Sequence, residues 1–218
     1  MNKTKKITTV ALLCAMSYIA VFIAKLLPIS IISFLKYDPK DAVIVMGGFM
    51  FGPACAAIIS VLVSLAEMLT ISETFLYGFF MNVISTCAFA CTAAAIYRRH
   101  RSFNGAVAAL FAGSVCTAAA MLVFNYIITP FYMGMPREAI LKMLLPVFLP
   151  FNIIKCLLNS ALAMLLYKPF VQVLRQRGML ESGTGNTKRN SIESFIAAFV
   201  LIIMCILAII ILRASGGK

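Results

Sequence analysis

Apolar runs long enough to cross a membrane recur along the whole chain, separated by short polar segments. The clear runs cover residues 7–27, 41–66, 75–97, 105–128, 147–167 and 192–212. An α-helix needs about 20 such residues to cross a hydrocarbon core of ~30 Å. Only helices and closed barrels satisfy all their backbone polar groups inside a bilayer. The pattern therefore predicts an all-α polytopic membrane protein embedded in the lipid bilayer.

The second run contains Gly52-Pro53, and proline interrupts the hydrogen bonding of a helix. Lys3, Lys5 and Lys6 place the N-terminus in the cytoplasm by the positive-inside rule. The basic cluster 98–101 and the basic segment after residue 174 also become cytoplasmic only if the second run crosses twice. We therefore predict two short helices there, at about 41–51 and 53–67.

This count divides the chain into three parts. Residues 1–175 form a six-helix membrane domain, 176–191 a cytoplasmic linker, and 192–213 an additional transmembrane helix. If that last helix spans the membrane, the C-terminus is external.

Composition excludes several classes of function. Hydrophobic residues make up 62% of the chain and charged residues 12%, about half the charge of a soluble domain. The net charge of +12 comes from residues that flank the apolar runs, so membrane orientation explains it better than a nucleic-acid partner. The seven cysteines lie inside apolar runs without metal-ligand spacing, and no metal site is predicted.

The strongly polar residues inside the predicted spans concentrate toward one side of the membrane. Lys155 lies within an apolar run without an acidic residue one helical turn away, at a typical cost of ~2.5–3.5 kcal/mol. In the predicted topology Lys155, Asn82, Asn125 and Asn152 all lie in the outer half. A channel needs polar groups through the full thickness, so we expect a pocket open to the outside instead.

Structural explanations of these residues remain open. Asn82 and Asn125 could be interhelical hydrogen-bonding residues, and Lys25 and Glu67 could extend to the interface. Lys155 could form an ion pair with Glu67 or Asp41. The aromatic residues near the outer face could form an interfacial belt or stack on a flat ligand.

Three segments, in their order along the chain, resemble one family of transport proteins. They are FLKYDPKDAVIVMGGFMFGP, NYIITPFYMGMPREAI and LLPVFLPFNIIKCLLNSALAMLLYKPF. They are similar to the riboflavin-specific S-components, of the RibU type, of energy-coupling factor (ECF) vitamin transporters. The similarity covers about residues 5–175 and implies a six-helix substrate-binding subunit.

The resemblance implies roles for individual residues. The first external loop would cover the vitamin, Asn125 would lie beside it, and the FN-x-x-K motif would contribute Asn152 and Lys155. Asn82 joins this set because of its predicted depth. The predicted substrate-binding residues are Leu35, Lys36, Tyr37, Asp38, Asn82, Asn125, Asn152 and Lys155.

The resemblance also implies partners. Ala11 and Ala15 match a small-residue motif on helix 1 that packs against the transmembrane coupling protein, and two cytoplasmic ATPases supply energy. This chain has no G-x-x-x-x-G-K-[ST] phosphate loop and is not predicted to be an enzyme. No cofactor is expected, since riboflavin would be the transported ligand; FMN is a second ligand that the sequence leaves open. The apolar run 192–212 departs from the six-helix pattern.

Three other interpretations remain. The same fold binds thiamine, biotin or folate in other S-components. An intramembrane enzyme would need paired histidines or carboxylates at depth, whereas the one histidine, His100, lies in a predicted loop. A membrane scaffold would use only the small-residue face of helix 1.

Overall fold

The structure, a computed structural model, describes residues 3–26, 30–32 and 35–176. In chain order its elements are α1 (Lys3–Leu26), β1 (Ser30–Ile32), β2 (Leu35–Lys36), α2 (Lys40–Phe51), α3 (Pro53–Thr70), α4 (Phe75–Arg99), α5 (Phe103–Met133), α6 (Arg137–Met143), a π-helical turn (Leu144–Phe148) and α7 (Leu149–Gln176). The predicted helix at 192–213, and nearly all of the linker before it, lie outside the described residues.

The predicted interruption of the second apolar run is present. Gly52 lies between α2 and α3 with φ +92°, which a residue with a Cβ rarely adopts, and Pro53 begins α3, where its missing N–H costs nothing. The chain therefore reverses direction here. We call the end of the bundle that carries β1 and β2 the hairpin end; α2 leaves it, and α3 returns to it.

The short helix α2 is the centre of the bundle. Nine of its twelve residues are buried, and at 1.5 Å per residue it is only ~18 Å long. Among the described residues, five other segments are long and apolar enough to cross a membrane: Lys3–Leu26, Pro53–Thr70, Phe75–Arg99, Phe103–Met133 and Arg137–Tyr167. Because α1, α3, α4 and α7 pack around it, α2 can be short.

Small residues allow the helices to approach one another closely. A Cβ on Gly48 of α2 would lie 2.9 Å from the Cβ of Ala94 in α4 and 3.1 Å from that of Ala56 in α3. A Cβ on Gly113 of α5 would lie 2.7 Å from the carbonyl oxygen of Phe89 in α4. Close backbone contact through small residues is the usual way in which membrane helices associate without a hydrophobic driving force.

Two features were not predicted from the sequence. The first loop contains a two-stranded antiparallel hairpin, in which Ser30 pairs with Lys36 and Ile32 with Leu35. The last span, predicted at 147–167, is preceded by α6 and the π-helical turn and continues to Gln176. The π-helical turn contains Pro146 and is followed by Pro150, and each proline lacks the N–H that a regular α-helical ladder requires.

The contact at Gly113 gives a stability prediction. We expect Gly113→Ala to destabilise the bundle by about 1–3 kcal/mol, the usual cost of overpacking, because the added methyl group meets backbone that cannot move alone. Thermal unfolding in detergent measures the effect. Ala119→Leu, at an exposed position of the same helix, is the control and should leave the midpoint unchanged; equal midpoints for the two variants would contradict close α4–α5 packing.

Candidate functional site

A cavity of about 380 Å³ lies at the hairpin end of the bundle. The C-terminal parts of α1, α3 and α5 and the N-terminal parts of α4 and α7 supply its walls. Its volume is within the range of ~300–1,000 Å³ that is typical of small-molecule pockets. The lining includes six of the eight predicted substrate-binding residues: Tyr37, Asp38, Asn82, Asn125, Asn152 and Lys155.

A buried ion network closes one side of this cavity. Lys40, at the start of α2, is 0% exposed; its Nζ lies 2.6 Å from Oε1 of Glu67 in α3 and 2.8 Å from Oδ2 of Asp38 in the first loop. Glu67 is 1% exposed, and its Oε2 accepts a hydrogen bond from Nδ2 of Asn82 at 2.7 Å. Burial alone would raise the pKa of Asp38, but the Lys40 ammonium, with Lys155 further away, holds that pKa below its usual range.

A second branch of the network connects α2 to α7. Nζ of Lys155 lies 3.4 Å from Oδ2 of Asp41, whose Oδ1 accepts a hydrogen bond from Oγ1 of Thr86 at 2.6 Å. Nδ2 of Asn159 donates to the backbone oxygen of Asp38 at 3.0 Å, and its Oδ1 accepts from the Tyr37 hydroxyl at 3.0 Å. The first loop is therefore hydrogen-bonded directly to α7, and it is linked to α3 through Lys40 of α2.

The five buried charged residues of the described chain all belong to this network: Asp38, Lys40, Asp41, Glu67 and Lys155. Lys25, at the rim of the cavity, donates to the backbone oxygen of Ile71 at 3.1 Å. Glu73 also lines the cavity, so the described lining and the network together carry three lysines and four carboxylates. Each buried charge of the network nevertheless has an ion-pair partner, at 2.6 to 3.4 Å.

The three asparagines of the cavity have fixed orientations. Nδ2 of Asn125 donates to the backbone oxygen of Met121, and Nδ2 of Asn152 donates to that of Phe148, each at 2.7 Å. Nδ2 of Asn82 donates to the Glu67 carboxylate. All three partners only accept hydrogen bonds, so the amide nitrogen must face the partner. The carboxamide oxygens are left to accept, and that of Asn125 already accepts from Thr129.

Aromatic and methionine side chains supply the apolar part of the lining. Tyr77 of α4 and Tyr132 of α5 have ring centroids 6.4 Å apart, and Phe151 of α7 also faces the cavity. Met81 and Met121 add polarizable surface. The cavity thus combines flat apolar walls with a small number of oriented polar groups.

Known proteins resemble this chain in sequence and in structure. A family model described as the ECF transporter substrate-specific component matches residues 5–167. The chain is 27% identical over 182 residues to the riboflavin transporter RibU of Staphylococcus aureus (strain TCH60), covering 81% of this chain and 95% of the relative. The chain belongs to the ECF transporter substrate-specific components.

The three-dimensional comparison agrees with that assignment. A solved structure described as the S component of a bacterial ECF transporter superposes with a TM-score of 0.67 at 26% identity. The superposition covers 80% of this chain and 99% of the solved one. The predicted all-α S-component fold is confirmed, and the chain is a multi-pass membrane transporter component rather than an enzyme.

The remaining predicted residues have different positions in this S-component. Leu35 and Lys36 form β2, but their side chains lie outside what the structure describes. Ala11 and Ala15 lie on an exposed face of α1, away from the cavity. Their predicted roles in ligand and partner binding remain predictions.

The structure decides between several of the alternatives considered for the polar residues. Extension of Glu67 to the interface is wrong, because Glu67 is buried against Lys40. Asn82 does form an interhelical hydrogen bond, whereas the described hydrogen bonds of Asn125 stay within α5. The ion pair considered between Lys155 and Asp41 is present and occupies one side of the ammonium.

Sequence reasoning did not identify Lys40 and Thr86 as members of the buried network, or Ser85 as a residue of the cavity lining. Lys40 lies in a loop rich in charge, where nothing in the spacing distinguishes a buried lysine from a solvated one. Thr86 and Ser85 are in an apolar run, where hydroxyl groups commonly bond to their own helix. A signal was available for Ser85 alone. It follows Asn82 by three residues on α4, and this spacing places both residues on one face of the helix.

The buried pair of Lys40 and Glu67 gives a second prediction. Lys40→Met should destabilise the S-component by ~3–5 kcal/mol, because Asp38 and Glu67 would remain as buried carboxylates without their cation. The thermal midpoint in detergent reports this loss. Lys142→Met, at an exposed position of α6, is the matched control. A Lys40→Met midpoint equal to that of the control would show that the buried pair does not stabilise the fold.

Proposed function

We propose that this S-component binds riboflavin at the hairpin end of the bundle and delivers it across the membrane. The observation that carries the proposal is the cavity beneath the first loop, lined by Asn152 and Lys155 of the FN-x-x-K motif together with Asn125. The relative named as a riboflavin transporter supports the choice of vitamin.

The pairing of the buried charges favours riboflavin over the other vitamins considered. Thiamine carries a permanent positive charge, and biotin and folate carry carboxylates. A charged ligand of either sign would need a residue of opposite charge that is not already paired, because a desolvated charge is costly unless it is paired. Each buried charge of the network beside this cavity already has an ion-pair partner. A neutral ligand with many hydrogen-bonding groups, such as riboflavin, fits that environment.

The shape and polar groups of the site also suit a flavin. Tyr77, Tyr132 and Phe151 offer aromatic surface to a flat ring system. The asparagine oxygens of Asn82 and Asn152 accept, and the ammonium of Lys155 has N–H groups beyond the one directed at Asp41. Flavins present both N–H donors and carbonyl acceptors on one ring edge, which such a mixture recognises.

In this proposal the hairpin end faces the outside of the cell. The three lysines at the start of α1 and the arginines at the end of α4 lie at the opposite end, which the positive-inside rule assigns to the cytoplasm. A coupling protein and two cytoplasmic ATPases complete the transporter. The small residues Ala11 and Ala15 on the exposed face of α1 are the surface that meets the coupling protein.

Titration of the purified chain in detergent with riboflavin tests the proposal. We expect quenching of flavin fluorescence that saturates at one site per chain. Lys155→Met should raise the Kd about 5- to 150-fold, corresponding to roughly 1–3 kcal/mol, because a charged donor is lost from the site. The fold should persist, since Asp41 retains Thr86 and Asn159 as donors.

Lys142→Met is the control for the titration and should bind riboflavin as the unchanged chain does. Absence of quenching by a monodisperse, unchanged chain would overturn the proposal and leave another vitamin, or a scaffold role, in its place. FMN titrated in parallel shows whether an added phosphate is accepted.

A separate prediction concerns the partner surface. Ala15→Leu should leave the riboflavin Kd unchanged and abolish uptake in proteoliposomes that contain the coupling protein and ATPases, because the added side chain prevents close helix contact. Ala119→Leu enlarges an exposed residue of α5 and should support uptake. Full uptake by the Ala15→Leu variant would remove α1 from the partner surface.

A further inference from the structure

Ser85 of α4 has a buried hydroxyl group with no hydrogen-bond partner among the described residues. Ser85 is one of the residues that line the cavity, and it is only 3% exposed. Other hydroxyls in the helices, those of Thr70, Ser114 and Thr117, donate to the backbone oxygen four residues earlier. A buried hydroxyl without a partner is unfavourable. Of the four such serines among the described residues, only Ser85 belongs to the cavity lining, where a bound ligand can supply the partner.

The position of Ser85 places it at the same depth as Lys155. The next residue, Thr86, donates to Asp41, and Asp41 in turn pairs with Lys155 across the bundle. Ser85 is ten residues into α4, ~15 Å from the hairpin end at 1.5 Å per residue. Ser85 and Lys155 therefore lie at a similar depth and both line the cavity, and we call this deep part the cavity floor.

The cavity floor combines two donors with an acceptor. Lys155 and the Ser85 hydroxyl can donate, while the amide nitrogen of Asn152 is held by the backbone oxygen of Phe148 and leaves its Oδ1 to accept. The imide edge of a flavin ring has the complementary pattern, with an N–H group between two carbonyl oxygens. A polyol chain has no such fixed order of donors and acceptors.

We propose that Ser85 recognises the ring, with its hydroxyl donating to a carbonyl oxygen on the imide edge. This inference rests on the proposed binding of riboflavin. The rim of the cavity, where Lys25, Ser72 and Thr74 lie near the hairpin end, is polar enough to leave the ribityl chain hydrated. If the ring enters first, its apolar faces are buried against the methionines and aromatic side chains of the walls. The hydroxyl groups of the polyol then stay at the rim, where water can bind them.

The test compares riboflavin with lumiflavin, which has the same ring but a methyl group in place of the ribityl chain. Riboflavin is titrated by fluorescence quenching, and lumiflavin by displacement of bound riboflavin. Ser85→Ala should weaken both ligands by the same factor, about 5- to 30-fold. Its thermal midpoint without ligand should be unchanged or higher, because the substitution removes an unpaired buried hydroxyl.

Ser64→Ala is the matched control. Ser64 of α3 is also buried without a hydrogen-bond partner among the described residues, but it does not line the cavity. This variant should bind both ligands as the unchanged chain does.

The remaining outcomes separate the inference from the function on which it rests. Weakening of riboflavin alone would place Ser85 beside the polyol and overturn the proposed contact. Unchanged affinity of Ser85→Ala for both ligands would remove Ser85 from the site while riboflavin binding stands. Failure of the unchanged chain to bind riboflavin would overturn the proposed function and this inference with it.

Discussion

The need to pair buried charge determines how the rest of this molecule is arranged. Lys40 and Lys155 lie where water is scarce, and in such an environment a charge without a close partner is not tolerated. Glu67 comes from α3, Asp41 from α2 and Asp38 from the first loop. Because both lysines must be paired with these carboxylates, the depth of α2, the end of α3 and the position of α7 are set together. The cavity is the space beside that network.

The same network and nearby backbone oxygens hold the polar groups of the cavity in fixed orientations. The carboxylate of Glu67 orients Asn82, and backbone oxygens orient Asn125 and Asn152. Side chains held in this way do not have to be ordered by the ligand, so less conformational entropy is lost on binding. The order of donors and acceptors along the cavity is therefore set before any ligand binds.

The sequence predicts the helices of this fold well because each signal is local. Apolar runs set the helix lengths, and the change of direction at Gly52 follows from one residue pair and the side of the membrane that the basic residues prefer. The polar cluster was also foreseeable, since depth in a span follows from distance to its end. The pairing of Lys40 with Glu67 was not, because the residues are 27 apart in sequence and their contact depends on how α2 packs. The strand hairpin and the π-helical turn likewise depend on tertiary contacts and on prolines, and neither produces a periodic pattern.

The first helix, α1, is less buried in the bundle than the other described membrane-spanning helices. Only Ser17 and Val21 of α1 are buried, and its other described residues are half-buried or exposed, so one face of α1 remains open to the surroundings. Lipid tails are as apolar as leucine side chains, and exchanging a lipid neighbour for a protein neighbour therefore removes no apolar surface from water. Any complex formed through α1 is then a competition between lipid and protein for one surface. Its strength would vary with the thickness and acyl composition of the membrane, which makes the bilayer itself a determinant of how many copies of this subunit are engaged at one time.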